Sequence, residues 1–245
     1  MNALMKMAWV ETKLFLREPM AAFFTLVFPL FVLVLFGGIY GNEPTEFFGG
    51  YGSVDISVPG YIGMIIGTIG LIGLPVSIAS YREQGILRRL RATPVHPTVI
   101  LGGQLIVQFA MTIVGTIILL AAGRLLYNLQ FPQMPLAVIP AIILASISFF
   151  AVSFVLAGLL KSSRAAQAVG MALFFPMLFL SGGSMPREIL PESMQRIGEF
   201  LPLTHVIELI KGLWFGEGWN GTAVLVLVAM FVVGLFISAR TFQWE

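Results

Sequence analysis

The amino-acid sequence predicts an all-α membrane protein. It has six transmembrane helices, an N-terminal amphipathic interfacial helix, a charged cytoplasmic helix between spans 2 and 3, and an external re-entrant helical hairpin between spans 5 and 6. Three observations carry this reading. Of 245 residues, 58% are hydrophobic and 11% charged, against about 25% charged in a soluble domain, and the mean hydropathy is +0.93. That much apolar surface has no water-soluble core to fill. Six segments reach the roughly 20 apolar residues that a span requires: 20–40, 58–80, 98–123, 135–160, 165–183 and 220–239. Lysine and arginine are also distributed unevenly between the connecting segments.

That bias sets the topology. With both termini cytoplasmic, Lys6, Lys13, Arg17, Arg82, Arg88, Arg89, Arg91, Lys161, Arg164 and Arg240 share the inner side. Arg124, Arg187, Arg196 and Lys211 face out, together with most of the acids. The net charge of +2 is too small to point to a nucleic-acid partner. There is no cysteine, hence no disulfide framework.

Taken in order, residues 3–18 place Lys6, Lys13 and Arg17 on one helical stripe and Glu11 and Glu18 on another, with Leu4, Met5, Ala8, Trp9, Phe15 and Leu16 filling most of the remainder. Such a helix suits the headgroup region, with its cations toward phosphate or toward a partner. The first apolar run, from Pro19–Met20 to Tyr40, is longer than a signal-peptide core and reads as a retained span. Pro29, Pro75 and Pro176 fall inside spans. Each is expected to kink its helix and free a carbonyl that neighbouring helices must satisfy. Span 2 carries Gly63, Gly67 and Gly70 on one face. Small residues let helices approach closely in lipid, either within this chain or at a subunit interface. The fifth span follows a short polar turn, Lys161-Ser162-Ser163-Arg164, and Gly182-Gly183 ends it.

Residues 184–217 are too polar for two further spans. Pro186 and Pro191 suit helical first turns, Thr204 is expected to cap a run from His205 to Phe215, and Gly216 to end it. A hairpin dipping into the outer leaflet follows, with Trp214 and Trp219 as interfacial anchors.

The chemistry is notable for what is missing. No Asp, Glu, Lys, Arg or His lies in the middle of a span, whereas ion- and proton-coupled carriers work through such groups. His96 and His205 are far apart in sequence and both lie outside the spans. No catalytic constellation, metal cluster or cofactor motif is expected, so the chain is not read as an enzyme. Any energy for transport would then enter from outside the chain. The stretch 81–97, YREQGILRRLRATPVHP, is where that could happen. As a helix, 82–91 puts Ile86, Leu87 and Leu90 on one arc, with Glu83 between them and Arg82, Arg88, Arg89 and Arg91 around the rest; Pro94 and Pro97 stop it. An apolar ridge flanked by arginines suits docking into a groove on a soluble partner.

Tyr81 to Pro94 resembles the coupling-helix segment of ABC-2 type transporter permeases, whose pattern is R-E-x-G-x-L-x-R-L-x-x-T-P. Residues 180–214, with L-S-G, P-R-E-x-L-P and F-L-P-L-T-H-V, are similar to that family's C-terminal region. Leu180-Ser181-Gly182-Gly183-Ser184 also looks like the signature loop of ABC ATPases, but the phosphate-cradling motif it works with is missing from this sequence, and it reads as a helix stop. The resemblance implies one ABC-2 membrane domain over 1–245, the permease subunit of a cell-membrane exporter. It implies a dimer, homo- or heteromeric, with two copies of an ABC ATPase that hold the ATP and magnesium. Glu83, Gly85 and Leu87 would carry the coupling, with Arg82, Arg88, Arg89, Leu90 and Arg91 as accessory contacts. The substrate would be apolar or amphipathic: drug-like, lipid-like or a glycoconjugate. Phe149, Phe150, Phe154, Phe174, Phe175 and Phe179 could line its path. The rival readings are a stand-alone secondary transporter or channel, and an assembly protein with no substrate. A co-purifying ATPase separates them.

Overall fold

The computed structural model describes residues 3–17, 22–86 and 97–241. All of its elements there are helical apart from one isolated bridge between Thr45 and Tyr51. Helix α1 is Ala3–Arg17. Among the described residues, six helices are long and apolar enough to cross a membrane: α2 Phe23–Tyr40, α3 Ser53–Glu83, α4 Pro97–Tyr127, α5 Pro135–Leu159, α6 Ser163–Leu180 and α9 Gly221–Thr241. Two short helices, α7 Glu192–Gly198 and α8 Pro202–Trp214, lie between α6 and α9.

Helix α3 is the buried axis of the bundle, with nearly every residue from Val54 to Leu74 shielded from solvent. Glycine explains why it can be. A β-carbon at Gly63 would lie 2.7 Å from Ile207 of α8, one at Gly67 3.1 Å from Phe174 of α6, and one at Gly70 2.6 Å from Phe149 of α5. The stripe therefore packs within the chain and brings three helices close to the axis. Phe149 and Phe174, expected as lining for a transport path, are instead fully buried packing groups, and Phe150 is buried with them; Phe179 is exposed. On α2, α4 and α9, residues such as Leu35, Ile117, Leu225 and Phe236 stay exposed, as suits helices facing lipid.

Pro29 and Pro75 act through a local widening of the helix, whereas Pro176 lies within the α-helical α6 without such a turn. α2 and α3 each contain a five-residue π-helical turn, Phe23–Val27 and Ile69–Gly73, that ends two residues before Pro29 or Pro75. A wider turn makes room for a ring that would strike the preceding carbonyl. In the π register, Leu74 N–H donates to Ile69 O. The next donor in that register is Pro75, which has none, and this orphans the carbonyl of Gly70. The hydroxyl of Ser153 on α5 donates to it. Ser153→Ala is expected to cost about 1–2 kcal/mol, the value of one buried bond in a membrane bundle plus an unmet carbonyl. A thermal melt in detergent checks it.

Two expectations for the segment after α6 need correcting. Helix α8 begins at Pro202 with the extended Leu201 before it, so Thr204 is not its cap. The Thr204 hydroxyl instead donates to Gly198 O at 2.5 Å and lies 2.9 Å from the Ser181 hydroxyl, pinning α8 to α6. Trp214 is 2% exposed and sits in the protein core; it is not an interfacial anchor. α8 is covered on nearly all sides because it packs against α3, α5, α6 and α9. Trp219 is exposed.

Candidate functional site at the charged end of α3

The last turn of α3 carries Tyr81, Arg82 and Glu83. Consecutive residues on an α-helix diverge by about 100°, and these three side chains reach three different elements. Tyr81 donates from its hydroxyl to the Glu11 carboxylate of α1 at 2.7 Å, and Glu11 is buried there. Arg82 donates to the carbonyls of Ala157 at 2.8 Å and Leu160 at 3.3 Å, at the C-terminus of α5. The last carbonyls of a helix lack partners within it and carry the negative end of its dipole, so a cation is well placed there. Glu83 accepts from the Ser163 hydroxyl at 2.6 Å and the Ser163 N–H at 3.2 Å, at the N-terminus of α6. A carboxylate suits that end for the opposite reason. Ser162 completes the junction by capping α6 through a bond from Ala165 N–H at 3.1 Å.

The three residues thus join the end of the axis to α1 and to the turn between α5 and α6. The chain then leaves α3 through Gln84 and Gly85. Gly85 has φ +65°, a conformation that favours glycine, and its N–H bonds to Arg82 O. The sequence reading placed Arg82 and Glu83 on a separate helix over 82–91. They form the final turn of α3, and Gly85 divides the charged stretch. Their polar atoms meet the chain's own helices. Leu87, Arg88, Arg89, Leu90 and Arg91 lie outside the described residues. On α1, Lys13 places its ammonium 5.0 Å from the Trp9 ring centre, a cation–π contact. The side chains of Lys6 and Arg17 lie outside the described set.

The opposite end of α3 holds a second polar junction. Asp55 is 1% exposed and occupies the first turn of α3. Its carboxylate accepts from Gln130 N–H at 2.8 Å, Asn42 Nδ2 at 3.2 Å and Gly52 N–H at 3.2 Å. Asn42 Oδ1 accepts in turn from the N–H groups of Val54 and Asp55, so a side chain from the preceding loop caps α3. Gly52 permits this, since a β-carbon there would lie 2.0 Å from Asn42 Oδ1.

Sequence reasoning missed Glu11, Tyr81 and Ser163 at one end, and Asn42 and Asp55 at the other. It searched for charge at mid-span, and these groups sit at helix ends. A usable signal was present at one end: an acidic residue, Asp55, in the first turn of α3, where orphan N–H groups gather.

The sequence model of the ABC-2 type transporter family matches residues 2–215. The chain is 24% identical over 245 residues to a Bacillus subtilis (strain 168) protein named "Putative transport permease YvfS", covering 97% of this chain and 96% of that one. It is 24% identical over 219 residues to "Putative transport permease ycf38" of Porphyra purpurea, covering 87% and 74%. It is 30% identical over 182 residues to "Probable multidrug ABC transporter permease YbhR" of Escherichia coli (strain K12), covering 70% of this chain and 48% of that protein. With six membrane-length helices and a family match over nearly its whole length, the chain is a multi-pass membrane protein that belongs to the ABC-2 type transporter family.

Proposed function

We propose that this chain is the membrane-spanning subunit of an ATP-driven exporter for an apolar or amphipathic substrate, and that the charged end of α3 receives the mechanical input. Two copies of an ABC ATPase bind ATP and magnesium, and a second permease subunit completes the transport path. The end carrying α1 and Glu83 faces the cytoplasm in this reading, which the lysine and arginine bias supports. One observation supports this reading above the others. Tyr81, Arg82 and Glu83 attach the axis helix to α1, to the end of α5 and to the start of α6. A push on the segment that follows Gly85 reaches all three at once, because they share one rigid turn. The chain needs no hydrolytic residues of its own in this scheme.

The role of Glu83 here is to hold α6 to the lever. In proteoliposomes containing the permease and its ATPase, Glu83→Ala is expected to reduce export per ATP hydrolysed at least about fivefold, the lower end of ordinary coupling effects, while the ATPase stays bound. Ser163→Ala, which removes the hydroxyl that Glu83 holds, is expected to act in the same direction. Unchanged coupling in both variants would refute the lever.

A further inference from the structure

A cavity of ≈ 230 Å³ opens at the end of α3 opposite Glu83, between α2, the first turns of α3 and the segment that follows α6. Four aromatic rings line it: Phe36 and Tyr40 from α2, Phe48 from the loop before α3, and Tyr61 from α3. Phe36 and Tyr40 are one turn apart, with ring centres separated by 6.2 Å and planes 13° from parallel. Tyr61 is 2% exposed, so the packed bundle fixes its ring. Tyr40 and Ile189 are exposed and mark the mouth. The described lining residues include no Asp, Glu, Lys, Arg or His. Two serines that α3 adds to the wall have their hydroxyl protons committed: Ser53 donates to Gly41 O at 2.5 Å and Ser57 to Ser53 O at 2.7 Å.

Such a wall offers no partner to a charged group, whose burial is then costly, but it leaves room for an apolar one. A dry apolar cavity of about 150 Å³ holds benzene, so this one suits a ring system of about naphthalene size. Which apolar group enters depends on what the bilayer already provides. An aliphatic chain gains little by exchanging lipid tails for protein, because both are apolar alike. An aromatic group gains edge and face contacts with other rings that lipid tails do not supply. We propose that this cavity binds an uncharged aromatic group, carried by a neutral or amphiphilic molecule that enters from the bilayer beside α2. Any charged part of that molecule stays outside the mouth. Two ring contacts of ordinary strength favour the aromatic group over its saturated counterpart about tenfold. The assignment concerns binding alone and does not rest on ATP coupling.

The test uses the full chain with any subunits that accompany it, reconstituted without nucleotide in phosphatidylcholine vesicles. An uncharged aryl probe, trifluoromethyl phenyl diazirine, is photolysed with the protein, and the labelled residues are mapped by mass spectrometry. Naphthalenemethanol and its saturated analogue, decahydronaphthalenemethanol, compete with the probe at matched concentrations in the membrane. Labelling at Phe36, Tyr40, Met185 and Ile189 is expected to saturate, and to be displaced by naphthalenemethanol at least about tenfold more effectively than by the analogue. Labelling of Leu225 and Phe236, exposed on α9, is expected to resist both. Phe36→Leu with Phe48→Leu keeps the wall apolar but removes two rings, and is expected to bring the two competitors within about twofold of each other. Should that double variant fail to fold, Phe48→Leu in the loop before α3 decides alone, with the preference expected to fall about threefold. Equal displacement by the two alcohols, labelling of the cavity that is absent or does not saturate, or an unchanged preference in the leucine variants overturns the proposal.

Discussion

Replacing Gly170 with alanine is expected to push α6 away from α3 and to cost more than the 1–3 kcal/mol typical of core overpacking. The new β-carbon would lie 2.3 Å from the carbonyl oxygen of Leu71 and 3.3 Å from the Cα of Ile72. Both obstacles are backbone, so no side chain can swing aside. Leu71 belongs to the π-helical turn that Pro75 imposes, and α6 seats against that widened turn. Restoring ordinary contact requires a shift of about 1 Å, and Ser163 at the foot of α6 would be drawn along the same helix. For a chain of this size a loss of about 3 kcal/mol corresponds to a fall in melting temperature of about 6–12 °C. Gly221→Ala is the control, since nothing lies within 4 Å of a β-carbon there. Thermal melts of both variants in detergent check the expectation, and a Gly170→Ala protein that melts with the wild type would show that α6 is not seated on that turn.

The six spans were legible because hydropathy measures transfer into an apolar medium, and the bilayer is one. The same property hid how they pack. In lipid an apolar side chain gains nothing from facing protein in preference to tails, so apolar periodicity does not say which face is inside. Trp214 shows the consequence: its aromatic character pointed to the membrane interface, yet α8 meets four helices and buries it. The glycines of α3 carried firmer information, since a helix lacking β-carbons along one face has a steric reason to be approached. Pro75 announced an orphan carbonyl, but the sequence could not say that Ser153, many residues away, would meet it. At the candidate site, the R-E-x-G pattern drew attention to the charged end of α3. That Glu83 engages Ser163 instead of solvent depends on how α6 starts, which is a tertiary fact.

Asp55→Ala is expected to cost about 3–5 kcal/mol, because it strips three donors of a buried anionic acceptor and hydrogen bonds to charged groups are worth about 1.5–3 kcal/mol each before relaxation. The donors come from three places: the loop after α2 through Asn42, the N-terminus of α3 through Gly52, and the segment after α4 through Gln130. Removing the carboxylate therefore loosens three connections and leaves Asn42 poorly aimed at the N–H groups of Val54 and Asp55 that it caps. Asp55→Asn keeps the shape but sets an amide N–H against at least one donor, so its cost is expected to fall between alanine and wild type. Asn42→Ala removes the trans cap and one donor; combined with Asp55→Ala it is expected to add less than the sum of the two, since neighbours in one network do not act independently. Hydrogen exchange localises the effect. Faster exchange is expected at Gly52, Val54, Asp55 and Gln130 well before Ile65, because local opening at a helix end precedes opening of a buried axis. Uniform protection across these positions in Asp55→Ala would mean that the α3 axis is held by packing alone and that the junction at this end is dispensable.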